Sequence, residues 1–128
     1  MGLFSKKEDL NGIQNGSIWT PMENLIQLDT LENDSFSKSV AIFKHSTRCG
    51  ISRFVLKQFE KEYSIDANKI DLYYLDLLEN RQISNEVASR FGITHQSPQL
   101  IVIRNGKAVF HASHDSISAT ALEKFTEN

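Results

Sequence analysis

The sequence predicts a single α/β domain with a mixed central sheet and helices on both faces. Strand-like apolar runs alternate with segments of helical periodicity along the chain. The last two strand-like runs are separated only by a tight turn. The length of 128 residues suits one hydrophobic core better than two. We expect the domain to span residues 18–128, after a flexible leader over residues 1–17 that is polar and has no period.

Composition narrows the function classes. The net charge of −2 arises from 14 Lys and Arg against 16 Asp and Glu, and it offers no basic surface for a phosphate backbone. No apolar run approaches membrane-spanning length, and the N-terminus lacks the apolar stretch of a signal peptide. The single cysteine cannot form an internal disulfide. We therefore expect a cytoplasmic protein that binds neither nucleic acid nor membrane. We also expect a monomer, although none of these features determines the oligomeric state.

The N-terminal half of the domain begins with a short β-type run over residues 25–28. A short helix is expected next, with Asp29 as its N-cap and with Leu31 and Phe36 facing inward. The nearly continuous apolar run over residues 39–45 predicts a strand buried on both faces. From Cys49 onward, apolar residues recur at three- and four-residue spacing, which predicts an amphipathic helix. Its expected buried face consists of Ile51, Phe54, Val55, Phe59 and Tyr63.

The C-terminal half contains three strand-like runs, over residues 72–75, 100–103 and 108–110. Asn105-Gly106 between the last two predicts a hairpin turn. A third helix before that hairpin ends at Gly92, which provides a left-handed stop. Its expected buried residues are Ile83, Val87, Ala88 and Phe91. The chain closes with a helix capped near Ser118 that is expected to bury Ala121, Leu122 and Phe125.

The predicted order of elements is β-α-β-α-β-α-β-β-α. Strands separated by helices are expected to run parallel through right-handed crossovers, and the terminal hairpin is antiparallel. The result is a mixed sheet covered by helices on both faces. This arrangement is that of a thioredoxin-like fold.

Cys49 is the candidate catalytic residue, because it lies where the most buried strand ends and the most amphipathic helix begins. Unpaired backbone N–H groups at a helix N-terminus favour negative charge on the sulfur, and Arg48 adds a cation one residue away. Gly50 lets a backbone or a thiol-bearing ligand approach closely. Ser52 occupies the second position of a C-x-x-C motif, where its hydroxyl can donate to a thiolate but cannot resolve a mixed disulfide. A buried structural cysteine is the alternative, but a strand-to-helix turn flanked by Arg and Gly favours a reactive thiol.

Ser97-Pro98 is the second candidate feature, placed directly before the first strand of the hairpin. In a thioredoxin-like fold this proline is cis and faces the cysteine across a groove. The backbone of the preceding residue then pairs with an extended substrate. An ordinary trans turn proline is the alternative.

The histidines do not form a metal site, since neither paired cysteines nor a suitable His spacing accompanies them. Each is more often a surface or loop imidazole than a ligand. His45, at the end of its strand, is a candidate to approach Cys49. His95, just before Ser97-Pro98, is a candidate to line the same groove.

Residues 43–52, which read FKHSTRCGIS, resemble the signature of the YtxJ-like monothiol bacilliredoxins, redox proteins of the bacillithiol system. In that family a strand ending in Lys-His-Ser-Thr leads to a T-x-C-x-I-S active site. The resemblance runs from Trp19 to the C-terminus and includes Ser97-Pro98-Gln99 and the Asn-Gly hairpin. The family often has Pro directly after the cysteine, where this chain has Gly50.

The resemblance implies a thiol–disulfide oxidoreductase that removes bacillithiol from S-bacillithiolated proteins. Cys49 would be the nucleophile. The supporting residues of the groove would be Thr47, Arg48, Gly50, Ser52, Ser97 and Pro98. Bacillithiol would act as a co-substrate with no cofactor bound, and a second low-molecular-weight thiol would clear the cysteine.

Two other functions remain open. Residues 49–52 differ in one position from the C-G-F-S of monothiol glutaredoxins, which bridge an iron–sulfur cluster between subunits with glutathione. Those proteins hold glutathione with a Gly-Gly-x-Asp element after the hairpin, and residues 109–114 contain no such glycine pair. The third possibility is a thioredoxin-fold adaptor that binds partners without redox turnover.

Overall fold

The computed structural model describes residues 18–126, and the leader predicted over residues 1–17 lies outside them. The described residues form five strands and three α-helices, which alternate as far as the fourth strand, and two short 3₁₀ segments follow the last strand. In chain order the elements are β1 (Thr20–Pro21), α1 (Ile26–Asp34), β2 (Ser39–His45), α2 (Gly50–Glu62), β3 (Ile70–Asp76), α3 (Arg81–Phe91), β4 (Gln99–Arg104) and β5 (Lys107–Ser113), then the 3₁₀ segments His114–Ser116 and Thr120–Phe125.

The strands form one mixed sheet in the order β1-β3-β2-β4-β5. The central strand β2 runs parallel to β3 and antiparallel to β4, and every residue of β2 is buried. In the register of these pairs, His45 faces Asp76 and Lys44 faces Gln99. The carboxyl ends of β2 and β3 therefore meet the start of β4 at one end of the sheet, and Cys49 follows β2 at that end.

Two hydrophobic cores cover the two faces of the sheet. Because successive strand residues point to opposite faces, alternate residues of β2 enter opposite cores. On one face Ile42 packs with residues from α1 and α3, among them Leu28 and Val87. On the other face Phe43 packs with α2 and the C-terminal 3₁₀ segment. The predicted mixed sheet with helices on both faces is thus confirmed.

The expected strand over residues 25–28 is wrong, because these residues lie at the start of α1. Leu28 and Leu31, three residues apart, are buried against the sheet, so helical spacing governs this segment. Asp29 is not a cap but belongs to the first turn, and Phe36 is exposed. The first strand lies earlier, at Thr20–Pro21.

Strand β4 does not follow the expected parallel crossover. The chain leaves β3 at Asp76 and returns, after α3, to the same end of the sheet at Gln99. A chain that re-enters the sheet at the end it left must run antiparallel. The expectation that β3 and β4 run parallel because α3 lies between them is therefore wrong.

The hairpin and the end of α3 form as predicted. Asn105 and Gly106 both have positive φ (55° and 77°), as a two-residue hairpin turn of this kind requires. Gly92 has a φ of 65° and ends α3 in the left-handed region. In α3 the residues Ile83, Val87 and Phe91 are buried as expected, and Ala88 is partly buried.

The last predicted helix is instead a 3₁₀ segment, Thr120–Phe125. Leu122 is fully buried there, whereas Ala121 and Phe125 are only partly buried. Ser118 does not cap it, because its hydroxyl bonds to the hydroxyl of Thr120 at 2.8 Å. In residues 18–126 no helix has the length and apolar character needed to cross a membrane.

Candidate active site

Cys49 occupies the N-cap position of α2. Its backbone is extended (φ −101°, ψ 120°), its N–H donates to the carbonyl of Ser46 at 3.2 Å, and its own carbonyl accepts from the N–H of Arg53 at 3.0 Å. The thiol is partly exposed, and the neighbouring Arg48 and Gly50 are exposed. The sulfur thus lies at the positive end of the helix dipole, within reach of another molecule.

Gly50 is the first helical residue of α2. A Cβ atom added there would meet only a terminal nitrogen of Arg53, at 3.9 Å, so the surface beside the sulfur is open. Proline is well suited to a first helical position, since its missing N–H costs no helical hydrogen bond. The Pro common in the resembling family would therefore fit this backbone.

Ser52 does not make the expected hydrogen bond to the sulfur. Its side chain is fully buried, and its Oγ lies 2.7 Å from Nδ1 of His45. The same oxygen accepts the backbone N–H of Ser46 at 3.1 Å. Ser52 therefore ties the first turn of α2 to the end of β2, and the loop that carries Cys49 is closed across its base.

His45 is buried at the end of β2, and its ring is bonded to Ser52 in the first turn of α2. Burial lowers the pKa of His45, the carboxylate of Asp76 opposes that shift, and Arg53 adds to it. The ring is therefore neutral at pH 7, and its Nδ1 shares a hydrogen bond with Oγ of Ser52. The part of the chain that the structure describes contains no group of residues able to hold a metal ion.

Thr47 and Arg53 complete the turn. Nη1 of Arg53 donates to the carbonyl of Thr47 at 3.0 Å, which fastens the exposed part of the loop to the second turn of α2. Arg48 has no hydrogen bond or ion pair to any described residue, so its charge is free to act on an incoming group. That charge is solvent-exposed and is screened by salt.

The Ser97–Pro98 peptide bond is cis, as predicted. Pro98 is buried, and its carbonyl accepts the N–H of His114 at 3.0 Å. Since Pro98 directly precedes β4 and Lys44 faces Gln99, this proline lies at the same end of the sheet as Cys49. The register thus brings the two predicted halves of the site to one edge.

Ser97 is left with unused hydrogen-bonding groups. Its Oγ is buried and has no partner among the described residues, and no backbone–backbone hydrogen bond there involves Ser97. A buried hydroxyl without a partner costs about 1–3 kcal/mol. The unpaired backbone groups of Ser97 are suited to pair with an incoming extended chain.

His95 lies against a buried lysine that the sequence analysis did not identify. Nζ of Lys44 is 3.2 Å from Nδ1 of His95, and Lys44 is 0% exposed. Burial, together with the charges of Lys44 and Arg81, lowers the pKa of His95. The sequence signal for this pair was a lysine within a strand predicted to be buried on both faces, directly before the candidate His45.

Two apolar side chains beside the cysteine are exposed, contrary to the expected buried face of α2. Ile51 is 66% and Phe54 68% exposed, whereas Ser52, Val55 and Phe59 form the buried face. Ile51 and Phe54 are each one position before a buried residue, about 100° around the helix. They form an apolar surface next to the thiol that the periodicity alone did not separate from the core.

Comparison with known protein families gives one match over most of the chain. The family model described as monothiol bacilliredoxin BrxC matches residues 20–122. That interval contains every residue of the candidate site, from His45 through Ser52 to Ser97 and Pro98.

Solved structures agree with the thioredoxin fold. A candidate oxidoreductase with a thioredoxin fold is similar at 27% identity and a TM-score of 0.73, over 88% of this chain and 96% of that one. Thioredoxin of Malassezia sympodialis is 20% identical, with a TM-score of 0.66, 84% of this chain covered and 90% of that chain. Thioredoxin of Nicotiana alata is 16% identical, with a TM-score of 0.65 and coverage of 94% and 100%.

Proposed function

Because this chain belongs to the monothiol bacilliredoxin family, as the match over residues 20–122 shows, we propose that it removes bacillithiol from S-bacillithiolated proteins. The observation that carries the proposal is the position of Cys49, the single cysteine of the sequence, partly exposed at the N-cap of α2. One turn later Ser52 provides a hydroxyl and no second thiol. A single thiolate can take over the bacillithiol group from a target cysteine, but it cannot complete a dithiol reduction, which needs a second cysteine.

In the first step the thiolate of Cys49 attacks the bacillithiol sulfur of the mixed disulfide on the target. A sulfur–sulfur bond forms between Cys49 and bacillithiol, and the original sulfur–sulfur bond breaks. The target cysteine leaves as a thiolate and takes a proton from solvent. The helix N-terminus and the exposed Arg48 favour the negative charge that the attacking sulfur carries.

In the second step a low-molecular-weight thiol must release Cys49. Its thiolate attacks the bacillithiol sulfur, the Cys49 thiolate leaves, and a small-molecule disulfide is the product. Ser52 cannot perform this attack, because its buried hydroxyl is bonded to His45 and Ser46 and is not ionised at neutral pH. We propose that the protein acts as a monomer in the cytoplasm. The pool of reduced thiols in that compartment supplies the thiol for this step.

The target protein is proposed to bind on both sides of the thiol. The unused backbone groups of Ser97 can pair with an extended segment around the modified cysteine, in a short form of β-strand addition. Ile51 and Phe54 offer the target an apolar surface. Both features support a protein substrate rather than a small molecule alone.

The test is the intact mass of the purified protein after exposure to the disulfide form of bacillithiol or of glutathione. Wild type is expected to gain one bacillithiol adduct and to gain glutathione more slowly, and the Cys49→Ser variant should gain neither. Equal rates with both disulfides would overturn the bacillithiol assignment. An iron–sulfur absorbance band in freshly purified protein would favour the cluster-carrier alternative. An unreactive Cys49 would favour the non-redox adaptor.

A further inference from the structure

Lys44 is a buried cation in the strand that leads to Cys49. It is 0% exposed, and burial lowers its pKa to about 8, so at pH 7 the amino group still carries its charge. Among the described residues, the one hydrogen bond of the Lys44 side chain joins Nζ to Nδ1 of His95 at 3.2 Å. No carboxylate among residues 18–126 forms an ion pair with it.

This position is costly for stability. A buried charge without an opposite charge is unfavourable, and replacement of buried ionic groups by apolar residues of similar volume is often neutral or stabilising. The four β2 residues before Lys44, Val40 to Phe43, are apolar and fully buried, so a methionine has the chemistry of most of this strand. Lys44 therefore does not serve stability, and its role is to be found in the hydrogen bond that its ammonium group makes to His95.

Gln99, the partner of Lys44 across the β2–β4 register, is also fully buried. Directly opposed residues of an antiparallel pair point to the same face of the sheet. Nε2 of Gln99 donates to the carbonyl of Thr94 at 3.0 Å, and its Oε1 accepts the N–H of Gln96 at 3.3 Å. Three consecutive residues, Thr94, His95 and Gln96, are thus held from beneath by two neighbouring side chains.

The held segment leads directly to Ser97, whose buried Oγ and backbone groups lack partners in the described part of the chain. An extended substrate pairs more tightly with Ser97 when the position of that residue is fixed beforehand, since ordering a loop on binding reduces affinity. We propose that Lys44 and Gln99 are positioning residues of the exchange reaction, which hold residues 94–96 so that Ser97 can pair with the target protein. This inference rests on the proposed function.

The positioning role predicts that loss of Lys44 affects the binding of the target protein and not the reactivity of Cys49. Loss of the Lys44–His95 bond should weaken binding of a capped protein, because the Ser97 segment must then be ordered when the target binds. The chemistry at Cys49 should be unchanged, since the side-chain hydrogen bond of Lys44 goes to His95, whereas the first turn of α2 is held by His45 and Ser52. We expect KM for a bacillithiol-capped protein to rise about three- to tenfold, as for loss of one hydrogen bond.

The experiment compares Lys44→Met with Lys38→Met, the same change at a partly exposed lysine whose partner is Asp71. Four quantities are measured for each: KM and kcat with a bacillithiol-capped protein, the alkylation rate of Cys49 by iodoacetamide, and the free energy of unfolding. Lys44→Met is expected to raise KM only, with equal or greater stability. Lys38→Met is expected to match wild type in both reactions.

Two variants at His95 keep the test valid if Lys44→Met fails to fold. His95 is exposed, so its replacement leaves the core intact. His95→Leu removes the acceptor and should raise KM as Lys44→Met does, whereas His95→Asn places an amide oxygen near the position of Nδ1 and should restore most of the affinity. Gln99→Met should raise KM through the loss of its two loop contacts.

Wild-type KM in Lys44→Met and His95→Leu would overturn the positioning role. So would an equal loss in the alkylation rate, since a general loosening of the site would then explain both. Failure of the proposed function is distinguishable, because the wild type itself would then release no thiol from a capped protein.

Discussion

The Ser52 hydroxyl lies 2.7 Å from Nδ1 of His45 and bridges the last residue of β2 to the first turn of α2. The same oxygen accepts the N–H of Ser46, so three residues on both sides of the cysteine loop share one atom. The loop is anchored at its base while Cys49 at its tip stays partly exposed. A nucleophile held in this way needs little reorganisation before it attacks.

Ser52→Ala tests this anchor. The change leaves Nδ1 of the buried His45 and the N–H of the partly buried Ser46 without a partner, and we expect a loss of about 1–3 kcal/mol in the free energy of unfolding. Urea denaturation measures the change. Ser64→Ala, at an exposed serine just after α2, is the control and should lie within about 0.5 kcal/mol of wild type. A Ser52→Ala protein as stable as the control would show that the bridge is not formed in solution.

Gly50→Pro is expected to stabilise the protein by about 0.5–1 kcal/mol, because proline restricts the unfolded chain and Gly50 is the first helical residue. The extended backbone of Cys49 (φ −101°, ψ 120°) is the conformation that a residue before proline prefers. Gly92→Pro is the contrast, since its φ of 65° is closed to proline. Thermal unfolding should rank Gly50→Pro above wild type and Gly92→Pro below it. The reverse order for Gly50→Pro would refute the assigned start of α2.

The alkaline pH dependence of stability should depend on Lys44. Its pKa is about 8 in the folded protein and near 10.5 when unfolded, so between these values the unfolded state binds more protons. The free energy of unfolding then rises with pH across that interval, by at most about 3 kcal/mol, whereas below pH 8 this group gives no slope. Urea denaturation of wild type and Lys44→Met from pH 7 to 10 isolates the effect. Parallel curves for the two proteins would contradict the burial of a charged Lys44.

Phe54→Ser tests the apolar surface beside the thiol. We expect KM for a capped protein to rise severalfold, because an exposed aromatic side chain contributes binding energy when a partner covers it. The rate with a small disulfide should not change, since Phe54 is not needed for a ligand of that size. Val109→Ser, at another exposed apolar residue on β5, serves as the control. If both variants behave alike with the capped protein, the surface around Phe54 is not where targets bind.

The region around Cys49 could be predicted from the sequence because local signals agree there. A nearly continuous apolar strand followed by helical periodicity locates a strand-to-helix junction, and the Asn-Gly pair locates the hairpin. In both places the residues that form the element also determine its boundaries. The cysteine could therefore be placed at a strand-to-helix junction from local signals alone, whereas the position of the proline opposite the cysteine followed from the thioredoxin-like fold and not from these signals.

The missed features depend on contacts between distant residues. Thr20–Pro21 is a strand only because it pairs with Tyr73 and Tyr74, and two residues carry no period. The direction of β4 depends on where the chain re-enters the sheet rather than on the helix that precedes it. The Lys44–His95 pair joins residues 51 positions apart, so no local pattern could reveal it.

The central claim is that every exchange step passes through Cys49. The most direct measurement follows a bacillithiol-capped protein and this protein together by intact mass. Wild type should release the target thiol, gain one bacillithiol, and keep it until a small thiol is added, because no second cysteine exists to attack the new disulfide. Cys49→Ser should leave the target capped. Decapping by Cys49→Ser, or clearance of the loaded wild type without added thiol, would contradict the account.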